Sequence, residues 1–140
     1  MTECRLIVDV AGPVLTAEDK DVLKHPAIAG VILFSRNYVD PAQLEDLTAQ
    51  IHALCRPAMQ ISIDQEGGRV CRIREPLPRL PSAREVAAVY VADPARGLAL
   101  AATLGWIIGA ALRAFGIDMS FTPVLDLDYG VCSAIGSRAF

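Results

Sequence analysis

Asp64 stands at the end of the short β-branched run Ile61-Ser62-Ile63, and Gln65-Glu66-Gly67-Gly68-Arg69-Val70-Cys71-Arg72-Ile73-Arg74 follows it. An ionised carboxylate accepts several hydrogen bonds, and a guanidinium donates them from a rigid fork. Together they clamp a ligand rich in hydroxyl groups, such as a sugar. Asp64 at a strand end and Arg72 beyond the Gly67-Gly68 turn form such a clamp. Arg138, in Ala134-Ile135-Gly136-Ser137-Arg138-Ala139-Phe140, adds a third contact. Ordinary readings stay open for each residue. Asp64 fits a turn residue that accepts backbone N–H groups, and Asp126 and Asp128 fit capping or turn groups. Arg69, Arg72 and Arg74 fit solvated surface charges, Arg74 best of the three.

Other chemistries are poorly served. The glycine pair belongs to no GxxxxGK[ST] phosphate loop, and no GxGxxG is present, so no nucleotide cofactor is expected. Cys4, Cys55, Cys71 and Cys132 lie far apart with no CxxC, which reads as ordinary thiols. No His/Cys cluster has ligand spacing, so no metal is expected. His25 and His52 fall on expected helices and receive no role. A net charge of −3 without a basic stripe argues against nucleic acid. Glu3, Arg5 and Asp9 interrupt the amino terminus before an apolar signal core can form, which points to the cytoplasm.

With 140 residues, 53% hydrophobic and 21% charged, the chain can build one domain with a substantial core. Arg5–Val10 reads as a first strand ended by Ala11-Gly12-Pro13. Thr16 with Asp19 has the spacing of a capping box, opening a short helix that stops before Pro26. Gly30–Phe34 is a continuous apolar run, as in a strand covered on both faces. Asp40-Pro41 starts the next helix, whose Leu44, Leu47, Ile51 and Leu54 recur at helical spacing. Met59–Ile63 makes a third strand, Gln65–Gly68 a turn, and Pro76, Pro78 and Pro81 a stiff loop.

Asp93-Pro94 opens a long apolar helix that Gly116 ends. Its uncharged stretch, Gly97–Leu112, has 16 residues and contains Gly105-Trp106-Ile107-Ile108-Gly109. A bilayer span needs about 20 strongly apolar residues. The stretch therefore reads as a helix buried against a sheet, its small residues permitting close approach, with no membrane partner. Ile117–Phe121 is a fourth strand, and Pro123–Asp128 continues from it. Alternating strands and helices favour a parallel sheet with helical crossovers. A four-stranded α/β domain and the front half of an eight-stranded barrel both fit.

Ile63-Asp64-Gln65-Glu66-Gly67-Gly68-Arg69-Val70, followed by Arg79-Leu80-Pro81, resembles the signature of glycoside hydrolase family 3. Gly30–Tyr38, Asp40–Leu44, Phe121–Leu127 and Ile135–Phe140 extend the likeness, in order, over essentially the whole chain. Within the family it is most similar to the bacterial cytoplasmic β-N-acetylglucosaminidases of peptidoglycan recycling. The resemblance implies an α/β fold, the N-terminal half of a (β/α)8 TIM-type barrel with about four βα units. Residues 1–140 would be a partial N-terminal barrel domain that stops after its fourth strand. The implied activity is retaining hydrolysis of terminal β-linked N-acetylglucosamine from muropeptides, without a cofactor. Matched by motif, Asp64, Arg72 and Arg138 would bind the substrate.

The same resemblance places the nucleophilic aspartate, the acid/base histidine and a Lys-His sugar-binding pair downstream of Phe140. Retaining chemistry needs a nucleophile and a proton donor. The 140-residue chain alone is therefore expected to be inactive. Its alternatives are a noncatalytic sugar-binding remnant and a fragment without independent function. The full-length protein would be a monomer, whereas a half barrel with open strand edges would self-associate. Two positions depart from the family pattern: Ser137 replaces a usual acidic residue, and Cys71 a usual glutamine.

Overall fold

The computed structural model describes residues 6–55 and 57–140. Four strands form one sheet in the order β1 (Leu6–Val8), β2 (Ile28–Leu33), β3 (Gln60–Ile63) and β6 (Met119–Ser120). β4 (Gln65–Gly67) and β5 (Val70–Cys71) pair in a separate two-stranded sheet. The helices are α1 (Ala17–Leu23), α2 (Pro41–Leu54), α3 (Ala83–Ala92) and α4 (Pro94–Ala114). The chain divides into two compact units, Met1–Ile63 with Leu112–Met119, and Asp64–Ala111 with Ser120–Phe140.

In the first unit, β1, β2 and β3 pair in parallel, with Val8 opposite Val31 and Val31 opposite Ile61. Val31, Leu33, Ile61 and Ile63 are buried along the two inner strands. The capping box at Thr16 and Asp19 is present, and Asp40 caps α2 by accepting from the Gln43 N–H at 2.9 Å. Leu44, Leu47 and Ile51 are buried as their spacing requires; Leu54, in the last turn, is half-buried. Asn37, fully buried, donates to the carbonyls of Val10 and Gly12 at 3.0 and 2.9 Å and accepts from the Phe34 N–H at 2.8 Å. One amide thus ties the segment after β1 to the segment after β2.

Gly116 ends α4 with φ +72°, its N–H bonded to the Arg113 carbonyl and the Ile117 N–H to the Leu112 carbonyl. That is the Schellman arrangement, which glycine favours. A Cβ there would also meet Thr48 Oγ1 at 2.7 Å, the hydroxyl that donates to the Phe115 carbonyl. Asp118 then leads into β6: its Oδ2 accepts from the Ile61 N–H at 2.9 Å and lies 3.1 Å from His52 Nε2. His52 therefore has a structural partner.

Three expectations for the second unit are corrected. The Gln65–Gly68 stretch is not merely a turn: Gln65 pairs with Cys71, and Gly67 with Val70, in an antiparallel hairpin. Helix α3 occupies a stretch for which no element was expected. Ser82 Oγ accepts from the Glu85 N–H, and Glu85 Oε2 accepts from the Ser82 N–H, so this helix carries its own capping box. Finally, α4 is not buried. Ile108 and Leu112 are covered, yet Leu98 and Trp106 are 64% and 74% exposed, and nothing lies within 4 Å of a Cβ placed on Gly105 or Gly109. Apolar composition cannot say which faces of a helix will find partners. Only one stripe does so here. At 21 residues, α4 is also long and apolar enough to cross a membrane by length and composition alone, although Arg96 and Arg113 lie within it.

The fourth strand is shorter than expected, two residues rather than five. Cys4 and Arg5, assigned above to the thiols and the first strand, lie outside the described residues.

Candidate functional site

Asp64 directly follows β3, so the sheet ends where the hairpin begins. Consecutive residues of an extended chain point to opposite sides, and residues two apart share a side. Gln65 turns inward and is fully buried; of its neighbours, the Asp64 side chain is partly exposed and the Glu66 side chain is covered against Arg138. Asp64 Oδ2 accepts from Arg72 Nη2 at 2.9 Å, with the two side chains 23% and 29% exposed. Among the described residues, Oδ1 of Asp64 accepts no hydrogen bond.

Gln65 fixes the backbone that carries Arg72. Its Oε1 accepts from the N–H groups of Arg72 and Ile73 at 2.9 and 3.1 Å, and its Nε2 donates to the Ile73 carbonyl at 2.7 Å. Its own N–H donates to Ser120 Oγ at 3.0 Å. The Cys71 sulfur receives Gln65 Nε2 at 3.1 Å. At the hairpin tip Gly67 has φ +98°, and a Cβ on it would lie 2.3 Å from the Pro81 carbonyl oxygen. The adjacent Gly68 N–H donates to the Leu80 carbonyl at 2.8 Å. The glycine pair and Leu80-Pro81 are thus two halves of one packing contact.

Arg138, on the 3-10 turn Gly136–Arg138, meets Glu66 in a two-point pair: Nε to Oε2 at 2.8 Å and Nη2 to Oε1 at 2.6 Å. Its Nη1 donates to the Ala134 carbonyl at 3.2 Å. The hydrogen bonds of Glu66 raise the Arg138 pKa above its ordinary value; burial opposes this, and the charges of Glu66, Asp64 and Asp126 reinforce it. Arg138 is a permanent cation in the field of Asp64. Arg69 Nη2 donates to the Ala134 carbonyl at 2.5 Å, so a second arginine secures the segment leading to Arg138.

The three sequence-predicted site residues are therefore related. Asp64 and Arg72 touch, and Arg138 joins them through Glu66 and through its electrostatic interaction with Asp64. Asp128 bonds to Arg84 and accepts from the Gly130 N–H at 2.9 Å, in keeping with its loop reading. Arg74 is exposed. Gln65 and Glu66 were read only as turn residues. The signal that could have found them is the uninterrupted polar triplet Asp64-Gln65-Glu66 after an apolar strand. Among the described residues no cluster of three or more His, Cys, Asp or Glu side chains is arranged to hold a metal ion.

Residues 6–140 match the glycosyl hydrolase family 3 N-terminal domain. The chain belongs to this family. It is 51% identical over its whole length to a β-hexosaminidase of Methylobacillus flagellatus, and 52% identical over 96% of its length to one of Nitrosospira multiformis. It spans only 40% and 39% of those relatives. Among solved structures, NagZ from Neisseria gonorrhoeae in complex with N-trifluoroacetyl-D-glucosamine superposes with a TM-score of 0.92 at 44% identity, covering 95% of this chain and 39% of NagZ. A family 3 β-N-acetylglucosaminidase from Paenibacillus follows at TM-score 0.76 and 30% identity, over 89% of this chain and 23% of that one. The fold is α/β, the N-terminal half of a TIM-type barrel, as the family resemblance implied.

Proposed function

We propose that Asp64, Arg72 and Arg138 form part of the sugar subsite of a retaining β-N-acetylhexosaminidase acting on terminal β-linked N-acetylglucosamine. One observation carries this reading: Asp64 Oδ2 lies 2.9 Å from Arg72 Nη2 directly after β3, where barrel enzymes place their ligands. A carboxylate held in this way keeps an oxygen for a hydroxyl, while the arginines offer donors. The N-acetylglucosamine analogue in the solved NagZ structure favours an amino sugar as the ligand class.

The natural substrate in this reading is a peptidoglycan-derived muropeptide, and the compartment is the cytoplasm. Residues 1–140 then make up a partial barrel domain, with the bond-breaking aspartate and histidine in polypeptide beyond Phe140. By itself the chain binds the sugar and does not hydrolyse it. Nucleophile and acid/base each contribute orders of magnitude to such a reaction.

The test is a titration of the purified 140-residue chain with N-acetylglucosamine, paired with an assay on a chromogenic β-N-acetylglucosaminide. Saturable binding that Asp64→Ala abolishes, without turnover, supports the proposal. Robust turnover by the chain alone, or binding indifferent to Asp64→Ala, overturns it.

A further inference from the structure

The Glu66 side chain is only 7% exposed, yet it bears a full carboxylate and spends both oxygens on one guanidinium. We propose that Glu66 is the positioning residue of the site, fixing the direction in which Arg138 presents its remaining N–H groups to the ligand beside Asp64. This rests on the sugar-subsite reading above and adds a residue to it.

The geometry is specific. A guanidinium has five N–H donors in one plane. Glu66 takes the Nε donor and one on Nη2, and Ala134 takes one on Nη1. Two donors are left, on Nη1 and Nη2. A two-point pair fixes the plane of the guanidinium as well as its location, which a single bond does not. Arg138 needs this constraint because it sits on a three-residue 3-10 turn rather than on a long element. Glu66, by contrast, belongs to the paired strand β4. Asp64 and Glu66 are two residues apart on an extended segment and share a side, with buried Gln65 between them on the other. The arginine held by Asp64 and the arginine held by Glu66 are thereby aimed from one short stretch of chain.

The test uses the 140-residue chain, ¹⁵N-labelled, titrated with N-acetylglucosamine and followed by NMR. Glu66→Gln keeps the shape and removes the charge, and is expected to weaken binding about tenfold or more, as loss of a charge-assisted contact does. Arg138→Ala should weaken it as much, and the double variant no further, because Glu66 acts through Arg138. Arg138→Lys, which keeps the charge without the two-point grip, should behave like Glu66→Gln and serves if that variant misfolds. Glu66→Asp, which keeps the charge, should restore part of the affinity.

Wild-type affinity in Glu66→Gln, or additive losses in the double variant, would overturn the proposal. A readout without sugar separates it from the reading beneath it. The Arg138 Nε–H resonance should be protected from exchange in the wild type and lose that protection in Glu66→Gln. Should the wild type bind no sugar, the subsite reading falls; the Nε–H protection then decides the role of Glu66 alone, and protection unchanged in Glu66→Gln sinks it.

Discussion

Asp64 Oδ2 and Arg72 Nη2 are 2.9 Å apart, across a hairpin whose intervening residues pair with one another. Each side chain is about three-quarters covered. Removing Asp64 leaves a part-buried cation without that partner, and breaking such a pair costs more than breaking a surface one. Asp64→Ala should abolish detectable sugar binding and lower stability by about 1–2 kcal/mol, less than for a fully buried pair. Titration and thermal melting measure the two effects separately. A stability loss with binding intact would reduce the pair to a packing device.

Gln65, fully buried and bonded to the backbone of Arg72 and Ile73, should matter for stability. Replacement by leucine leaves the Arg72 and Ile73 N–H groups without their acceptor, while the Ile73 carbonyl keeps only the weaker Cys71 thiol donor. Each unsatisfied buried group costs about 1–3 kcal/mol. Gln65→Leu should therefore destabilise by at least about 2 kcal/mol in urea titration and raise amide exchange at Arg72 and Ile73. Unchanged exchange there would show that other contacts hold the hairpin return.

The contrast between Asp64 and Gln65 marks what the sequence revealed. The Asp64–Arg72 contact was legible because a carboxylate at a strand end and a guanidinium just after a glycine turn are opposite charges close together in the chain. Helices α1 and α2 were legible from Thr16/Asp19 and Asp40-Pro41, where one or two residues satisfy the first-turn N–H groups. Gln65 and Glu66 were not, because their roles depend on partners up to 72 residues away. Helix α3 has the capping-box spacing at Ser82 and Glu85, but three prolines just before it carry the stronger local signal, that of a loop. The exposure of α4 is not legible in its sequence, because composition records how apolar a helix is, not what lies opposite it.

The α3 cap should confer sensitivity to acid. Hydrogen bonds from Arg79, then from the backbone and hydroxyl of Ser82, hold the Glu85 carboxyl at about 2, below its ordinary 4.5. A folded-state value below the unfolded one adds stability at higher pH. That contribution is complete above about 4.5 and is lost as pH falls toward 2. Glu85→Gln should remove this part of the acid dependence and leave the rest, measured as the difference in melting temperature between pH 6 and pH 3. Parallel wild-type and variant curves would mean that the Glu85 contacts do not affect folding.

Cysteine reactivity checks the hairpin independently. Burial raises the Cys71 thiol above its ordinary value, against the opposing Arg74 charge and the Gln65 hydrogen bond. The thiolate is the reactive form, so Cys71 should alkylate slowly at pH 7.5, while exposed Cys132 should label first. Peptide mapping after short iodoacetamide treatment gives the order. Gln65→Leu should bring Cys71 labelling forward by loosening β4 and β5. Rapid labelling of Cys71 in the wild type would contradict its packing.

The uncovered stripe of α4 bears on the association state of the chain. Leu98, Ala102, Gly105, Trp106 and Gly109 recur at helical spacing, all exposed, on a stripe that borders the one carrying buried Ile108 and Leu112. Apolar area of this kind is stabilised by removal from water at about 25 cal/mol per Å². The two glycines allow a second backbone to come close, and no charge interrupts the stripe between Arg96 and Arg113. A second copy of the chain offers the same surface, so dimers or larger species should form in a concentration-dependent way by sedimentation velocity. Trp106→Lys should move the equilibrium at least about tenfold toward monomer, since a cation in such a contact is buried unpaired. The fluorescence of Trp106, the chain's single tryptophan, should shift to the blue as the wild type associates. A wild-type chain that remains monomeric at all accessible concentrations, with solvent-exposed tryptophan emission, would show that this stripe does not drive association.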